Sequence, residues 1–490
     1  MLRQLSLVLC LSLLPSLHGE KPNILFIFTD DQSYRTVGCY PDSQSWVRTP
    51  NIDALAAQGI RFDAAYMGTW CMASRASLLT GRQPHAVESM RMEGKYPGST
   101  YDPEQTPFWP KVFREQGYLT AHIGKWHTGT DTGRGRDWDY QIVWNRPGNP
   151  QNSRHYYQDQ EITFQDGSKR ILGGDFYSTD QYTDWAIDFL EGKDGRETGP
   201  EKPWYLWLCY GAVHGPFTPA PRHVGAYASA KVPVPSDIFP PRAGKPAWAN
   251  LIDSFGSDPE SGPMQTFAKD VQQYHEGVLA LDEAVGRLLT ALDQTGQREN
   301  TLVVFTSDQG FAWGQHGFRA RKVAPYDANI RVPLIISQPG SVPEDEVCLA
   351  PVGGVDLVST FFAQAGLEAP WPLHGTDLTP LLEEPSREWN QPTLISFQFD
   401  QYGSDTADLS KAEGYRKNGV PWYAWVRMGD LKYVLPLDAS EEAELYHLRK
   451  DPEELTNLVS HPEYQEKRKE LHAQLLAELR RTEAPFIDQL

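Results

Sequence analysis

Two pairs of oxygen-bearing side chains, Asp30-Asp31 and Asp308-Gln309, each follow directly on an apolar run although they lie far apart in the chain. Adjacent carboxylates repel one another and call for a cation between them. A donor set of oxygens with no obligatory histidine suits a hard divalent ion, calcium above all. Either pair alone could equally cap a helix or bind water; the echo between them favours a metal. A single cysteine opens the stretch Cys71-Met72-Ala73-Ser74-Arg75, which runs on to Gly81-Arg82. The spacing predicts a short helix with Cys71 in its first turn, Arg75 one turn later on the same face, and Gly81 as a left-handed cap. Negative charge is best stabilised at such a helix start, so a nucleophile, a guanidinium and backbone donors can meet around one anion. Lys125 and His127 alternate after one apolar run, His214 follows another, and Lys322 lies in a Gly-rich loop beyond His316-Gly317. Two ammonium groups act as point charges on an oxyanion. Two histidines can serve as general acid and base.

These groups need a scaffold that gathers strand ends. Asn23-Ile24-Leu25-Phe26-Ile27-Phe28-Thr29 and Leu302-Val303-Val304-Phe305-Thr306-Ser307 are continuous apolar runs, the pattern of strands buried on both faces. Tyr205 to Tyr210 leads to His214, and Thr120 to Gly124 leads to Lys125. In open α/β sheets, ligands bind outside the carboxyl ends of the strands, so all four sets can converge on one edge. Val278, Leu281, Val285, Leu288, Leu289 and Leu292 fall at helical spacing before Gly296, and alternation of strands with helices argues for an α/β fold. Segments from about 145 to 174 and from about 215 to 263 are rich in Pro, Gly and polar residues and read as long loops overhanging the strand ends. Beyond about Trp389 the pattern changes. Trp422 to Arg427, a turn at Met428-Gly429-Asp430, and Leu431 to Leu435 suggest an antiparallel hairpin, followed by a helix from about Glu463 to Arg481. The expected division is a leader at 1–19, a catalytic domain at 20–385 and a smaller α+β domain at 386–490.

Composition narrows the class. The chain has 490 residues, 40% hydrophobic and 22% charged, which describes a large folded protein. A formal net charge of −19 argues against nucleic-acid or anionic-membrane partners, and any anionic substrate needs a local basic pocket. Met1-Leu2-Arg3 and the apolar stretch Leu5 to Leu14 have the form of a secretory signal, too short to span a bilayer comfortably. No second long apolar run follows, so the expectation is a secreted or periplasmic protein without a membrane span. Cys10 would leave with the signal. Cys39, Cys209 and Cys348 allow one disulfide at most, so no disulfide framework is expected.

On these motifs the sequence resembles the formylglycine-dependent sulfatases of the alkaline phosphatase superfamily over nearly all of its mature length. Lys21-Pro22-Asn23-Ile24-Leu25 with Asp30-Asp31 resembles that family's first strand and metal pair, and Thr49 to Ala56 its first helix. Cys71 to Arg75 is similar to its maturation motif, Gly124-Lys125-Trp126-His127 to a second signature, and Val213 to Phe217 to a third. Ser307-Asp308-Gln309-Gly310, His316-Gly317, Lys322 and Arg331 to Ile335 resemble its second metal strand and lysine loop. Two positions depart from the pattern: Ala73 stands where proline is common, and Gln309 where Asn or His is usual. Gln309 keeps a carbonyl oxygen for the metal.

The resemblance implies an alkaline-phosphatase-like α/β/α domain with a mostly parallel central sheet, plus a C-terminal α+β domain with an antiparallel sheet. It implies one calcium on Asp30, Asp31, Asp308, Gln309 and residue 71, and oxidation of Cys71 to formylglycine by a dedicated maturating enzyme. One hydroxyl of the hydrated aldehyde would attack sulfur, leaving a sulfated enzyme, and loss of the other's proton would expel sulfate. Arg75 and His127 would hold the gem-diol, with His127 the base for elimination. Lys125 and Lys322 would bind sulfate oxygens, and His214, with Lys322, would protonate the leaving alcohol. An all-oxygen site with one calcium and two lysines favours a sulfate monoester over the phosphonate or phosphodiester substrates of related hydrolases. A silent glycan-binding protein with unconverted Cys71 is the alternative outside catalysis. Fifteen tryptophans and the long loops suggest a sulfated carbohydrate, although core packing accounts for most of Trp109, Trp138 and Trp313. Arg134, Arg136, Arg319 and Arg321 are candidates for further anionic groups, with surface charge the competing reading.

Overall fold

The computed structural model describes residues 21–90, 92–93, 98–146, 154–195, 202–256 and 262–490; the expected signal and Cys10 lie outside them. One large sheet organises the chain. Its strands are β1 (Asn23–Thr29), β2 (Ile60–Tyr66), β3 (Leu119–Lys125), β4 (Tyr140–Trp144), β5 (Gln160–Thr163), β6 (Lys169–Leu172), β7 (Trp204–Cys209), β8 (Thr301–Ser307), β9 (Val332–Ser337), β10 (Glu346–Cys348) and β11 (Val352–Gly353). Their order is β10-β2-β9-β8-β1-β7-β3-β4-β5-β6, with β11 also paired to β2. The centre, β8-β1-β7-β3-β4, is parallel throughout. The two runs that echo each other in sequence are therefore direct neighbours, with Thr29 in register with Ser307.

Period-two alternation sends successive side chains of β1 to opposite faces. Leu25 and Ile27 pack with Val278, Leu281, Val285 and Leu288 of a long helix, Met264–Gln294. Ile24, Phe26 and Phe28 pack with Ala73, Ala76 and Leu79 of the helix Cys71–Thr80 and with Leu357 and Phe361 of the helix Gly354–Gln364. The result is a three-layer α/β/α domain. Each buried aliphatic or aromatic side chain in such layers contributes about 1.5–3 kcal/mol relative to exposure.

A separate antiparallel sheet follows: β12 (Thr393–Phe397), β13 (Tyr423–Met428), β14 (Leu431–Pro436) and β15 (Glu444–His447), in that order. Leu471, Leu475 and Leu479 of the helix Gln465–Arg481 cover one face, against Trp422, Val426 and Leu445. The other face carries Tyr423, Trp425, Val434 and Tyr446 and packs on Phe318, Val323, Tyr326 and Ala328 of the large domain. The hairpin read from sequence is thus the centre of a four-stranded sheet.

Two loop readings need correction or refinement. Within the segment 145–174, β5 and β6 form a hairpin that extends the main sheet, paired from Gln160↔Leu172 to Thr163↔Lys169. It is an edge element whose outer strand is largely exposed, so the apolar alternation that marks a buried strand is absent. Asp166-Gly167 at its tip, with Gly167 at φ 82°, was the available signal. The segment 215–263 is mostly irregular where described, with a one-turn helix at Ala247–Asn250. Cys39, Cys71, Cys209 and Cys348 are all free thiols. Among the described residues, no helix is long and apolar enough to cross a membrane.

Candidate active site

The carboxyl ends of β8, β1, β7 and β3 lie side by side, and the reactive groups follow from that order. Asp30 and Asp31 leave β1, Asp308 and Gln309 leave β8, and Lys125 ends β3. Gly124 allows β3 to reach this edge: it has φ 107°, and a Cβ there would overlap the Cys209 carbonyl oxygen of β7. Only glycine combines that φ with so close a backbone approach. Cys71 begins the helix Cys71–Thr80, which is buried along its whole length and ends on Gly81 at φ 70°. The helix thereby aims its free N–H groups at the carboxylate cluster.

Ligand atoms of Asp30, Asp31, Cys71 and Asp308 all lie within 4.8 Å of one another, and all four residues are buried. The Cys71 Sγ is 3.4 Å from Asp30 Oδ1 and 4.0 Å from Asp31 Oδ1. Three cations face the three acids. Arg75 Nη2 lies 3.3 Å from Asp308 Oδ2 and 3.8 Å from Asp30 Oδ2, while its Nη1 donates to the Lys125 carbonyl at 3.0 Å. The Lys125 ammonium is paired with Asp30 Oδ2. Lys322 Nζ is 2.6 Å from Asp31 Oδ1 and 2.9 Å from Cys71 Sγ.

The donor set fits a hard cation. Gln309 Nε2 approaches Asp31 Oδ1 and lies 3.4 Å from Cys71 Sγ, whereas its Oε1 is buried with no partner among the described residues. Exchanging the two ends of that amide puts a carbonyl oxygen among three carboxylates, an arrangement that only a cation makes favourable. Asp308 points the same way. Burial and the nearby Asp30 charge push its carboxyl up to about 7, against the pull of Arg75. Burial also works to raise Asp30, but Lys125, His214 and Arg75 outweigh it and hold that carboxyl well below the usual range.

Cys71 is no ordinary thiolate nucleophile. Burial, with Asp30 and Asp308 beside it, pushes the thiol up to about 12. A reactive cysteine requires the opposite environment. Burial works against the charge on Lys322, yet Asp31 and its neighbours hold the ammonium firmly protonated. Burial, then Lys322, keeps His214 neutral. Its Nδ1 is 2.8 Å from the Gly215 carbonyl and its Nε2 3.7 Å from Asp31 Oδ2, so the neutral ring carries its proton at Nδ1. Burial and Lys125 likewise keep His127 neutral; its Nε2 lies 3.4 Å from Arg146 Nη1, and its Nδ1 meets no partner among the described residues.

Of the residues singled out from sequence, Asp30, Asp31, Cys71, Arg75, Lys125, Asp308, Gln309 and Lys322 form one contiguous cluster, with His214 in contact through Asp31. His316 does not join it. Its Nδ1 faces Asp237 Oδ2 at 2.8 Å and its ring lies 4.1 Å from that of Tyr326. Arg319 stands outside the charged cluster, held by Asp270 at 2.9 Å. It lines a cleft of about 570 Å³ with Phe217, Gln273, Trp313 and Arg321, between the segments that carry His214 and Lys322. Arg136 is tied to Asp131 and Asp137, and Arg134 to the Gln165 carbonyl. Trp109 and Trp138 are core residues.

Several residues of the site carry no sequence signal. The Tyr156 ring stacks on His214 at 3.9 Å, nearly parallel, and lies 5.2 Å from the Lys125 ammonium. Trp70 presents its ring to Lys322 at 5.1 Å. Tyr274, on the inner face of the long helix, donates to the Asp31 carbonyl at 2.6 Å and accepts from the Ser33 N–H at 2.9 Å. It steadies Asp31 at φ 57°. Tyr156 sits in a segment whose length alone marked it as functional.

Comparison with known proteins agrees in extent with this architecture. The sulfatase family model matches residues 22–367, and a model described as N-sulphoglucosamine sulphohydrolase, C-terminal, matches residues 314–482. An N-acetylglucosamine-6-O-sulfatase of Bacteroides thetaiotaomicron is 29% identical over 94% of this chain and 86% of its own length. Human N-acetylglucosamine-6-sulfatase is 27% identical over 90% of the chain and 81% of its own length. A solved complex of a protein with its substrate D-glucosamine-2-N,6-O-disulfate superposes with a TM-score of 0.80 at 26% identity, covering 95% of this chain and 98% of that one.

Proposed function

The chain belongs to the sulfatase family and is a sulfuric ester hydrolase, and from that premise we propose that it removes sulfate from a sulfated carbohydrate, with glucosamine 6-sulfates the first candidates. We further propose that Cys71 is converted to formylglycine by a maturating enzyme and that a calcium ion is held by Asp30, Asp31, Asp308, Gln309 and residue 71. The observation that carries this reading is the cluster of three carboxylates and one inert thiol at a helix start, faced by Lys125, Lys322 and Arg75.

A hydrated formylglycine supplies two hydroxyls on one carbon, one to attack sulfur and one whose deprotonation releases sulfate, while calcium supplies charge neutralisation at the ester. The protein does the rest. Arg75 holds Asp308 and Asp30 in place. Lys125 meets the cluster at Asp30 and Lys322 at Asp31 and residue 71, and both remain charged to receive sulfate oxygens as negative charge builds on them. The three acids and three bases balance, so the two charges of the cation are left for the sulfate ester. Lys322 holds a proton at rest and the unprotonated His214 Nε2 faces the same space, so Lys322 supplies the proton for the leaving alcohol, directly or passed through His214 Nε2. His127 is held neutral, and because the Arg146 guanidinium beside its Nε2 can only donate, the ring's lone pair lies at Nε2, where it can take the proton whose loss releases sulfate.

The carbohydrate substrate is supported by the glucosamine sulfates named for the relatives and by the cleft lined by Phe217, two residues beyond Gly215, and Arg321, which precedes Lys322. Phe217 and Trp313 offer ring faces there, and Arg319, Arg321 and Gln273 offer hydrogen-bond donors. Export to the periplasm or the medium is proposed from the leader-like N-terminus. The test is sulfate release from a panel of sulfated mono- and disaccharides by enzyme co-produced with a maturating enzyme and supplied with calcium. Release from 6-sulfated glucosamines is expected. Turnover of aryl sulfates with none from any glycan in the panel would overturn the carbohydrate assignment.

A further inference from the structure

The segment that follows Lys322 is held by a series of side chains from the C-terminal domain. Val323 adopts φ 76°, a left-handed conformation that a β-branched residue strongly disfavours. Its carbonyl accepts from the Tyr423 hydroxyl of β13 at 2.7 Å. Two residues on, the Pro325 carbonyl accepts from Lys432 Nζ of β14 at 2.9 Å. Two residues further, Asp327 is paired with the same ammonium at 2.8 Å, and its N–H donates to Glu454 at 2.6 Å. Tyr326 donates to Glu444 of β15 at 2.9 Å. Within the segment itself, Asn329 supports the Arg321 carbonyl at 3.1 Å. The carbonyls of Arg321, Val323 and Pro325 are therefore each pinned by a different side chain, while Lys322 projects the other way, to Asp31 and residue 71.

Lys432 is fully buried, and its anionic partners among the described residues, Asp327 and Glu454, both belong to this clamp. A buried ammonium with such partners is a costly way to add stability and an effective way to fix one geometry. The strained φ of Val323 persists because the surroundings over-determine it. We propose that Tyr423 and Lys432 are positioning residues: through the Val323 and Pro325 carbonyls they hold the backbone that aims Lys322, so the C-terminal sheet sets the geometry of the sulfate-binding lysine. This rests on the reading of Lys322 as a group that binds the sulfate.

The test uses the mature, calcium-loaded enzyme and five variants. Tyr423→Phe removes only the hydroxyl that holds Val323, and a fall in kcat of about 10- to 100-fold is expected, the range in which small misplacements of catalytic groups fall. Val323→Gly relieves the conformational conflict, because glycine takes positive φ freely. The double variant Tyr423→Phe/Val323→Gly should therefore turn over faster than Tyr423→Phe, a rescue that a general loss of stability would not allow. Tyr433→Phe removes a hydroxyl from the same sheet whose hydrogen-bond partner among the described residues is His472, at 3.3 Å, and should leave kcat unchanged. Melting temperatures accompany each measurement. Wild-type-like kcat in Tyr423→Phe, or a double variant no faster than Tyr423→Phe, overturns the positioning role. Lys322→Met separates the two readings: if it keeps full turnover, the sulfate-binding role of Lys322 fails, whatever Tyr423 does.

Discussion

Replacing Lys322 by methionine tests the charge arrangement most sharply, because the substitution keeps length and removes only the ammonium. That ammonium is 2.6 Å from Asp31 Oδ1 and 2.9 Å from the Sγ of residue 71, and the side chain is 10% exposed. Two effects follow, and they separate by magnitude. In the transition state, the loss of one preorganised donor from a water-excluded site costs about 2.7–4 kcal/mol, or a fall of about 10²–10³ in kcat. In the folded state, an uncompensated buried carboxylate would cost about 3–5 kcal/mol. Asp31 would not be left uncompensated with calcium present, so the melting temperature should fall clearly only after chelation. Because the ester's charge grows between ground state and transition state, kcat should drop while KM changes little. Steady-state sulfate release, with melting curves in calcium and in chelator, reads both effects. A loss below about tenfold in kcat, or a loss expressed only in KM, would refute the placement of Lys322 against the developing charge.

Other predictions follow from the same geometry. Chelation should abolish turnover and lower the melting temperature; restoring calcium to 100 times its Kd should return about 2.7 kcal/mol of stability, and a thermal-shift titration showing no response would exclude a cation there. His214→Gln should slow alkyl sugar sulfates far more than 4-nitrophenyl sulfate, because only the poor leaving group needs a proton; equal losses on both would remove His214 from that step. Gly124→Ala places a Cβ against the Cys209 carbonyl at φ 107°, so a loss of about 3 kcal/mol or more is expected in denaturant unfolding, and a loss under 1 kcal/mol would contradict the close packing of β3 on β7.

What the sequence revealed and what it concealed divide on a physical line. Asp30, Asp308 and Lys125 were legible because each closes a buried strand, and a parallel sheet must bring such ends together. Cys71 and Arg75 were legible as a helix start with a fixed one-turn spacing. Tyr156, Trp70, Tyr423 and Lys432 act by contacts between segments with no common register, and a tyrosine in a strand reads the same whether its hydroxyl is idle or holds Val323. The edge hairpin Gln160–Leu172 was obscured because an exposed edge strand has no reason to alternate. His316, which marks the lysine loop in the sequence, packs against Asp237 and Tyr326 and positions that loop.

The central claim is that residue 71 becomes the aldehyde nucleophile of a calcium sulfatase site. The most direct measurement is the intact mass of the tryptic peptide carrying position 71, from protein co-produced with a maturating enzyme, taken beside sulfate release by the same sample. The account predicts a peptide lighter than the cysteine form by the mass of one sulfur and two hydrogens less one oxygen, with activity proportional to the converted fraction and none from Cys71→Ser. A fully unconverted cysteine in a sample that still releases sulfate would contradict it.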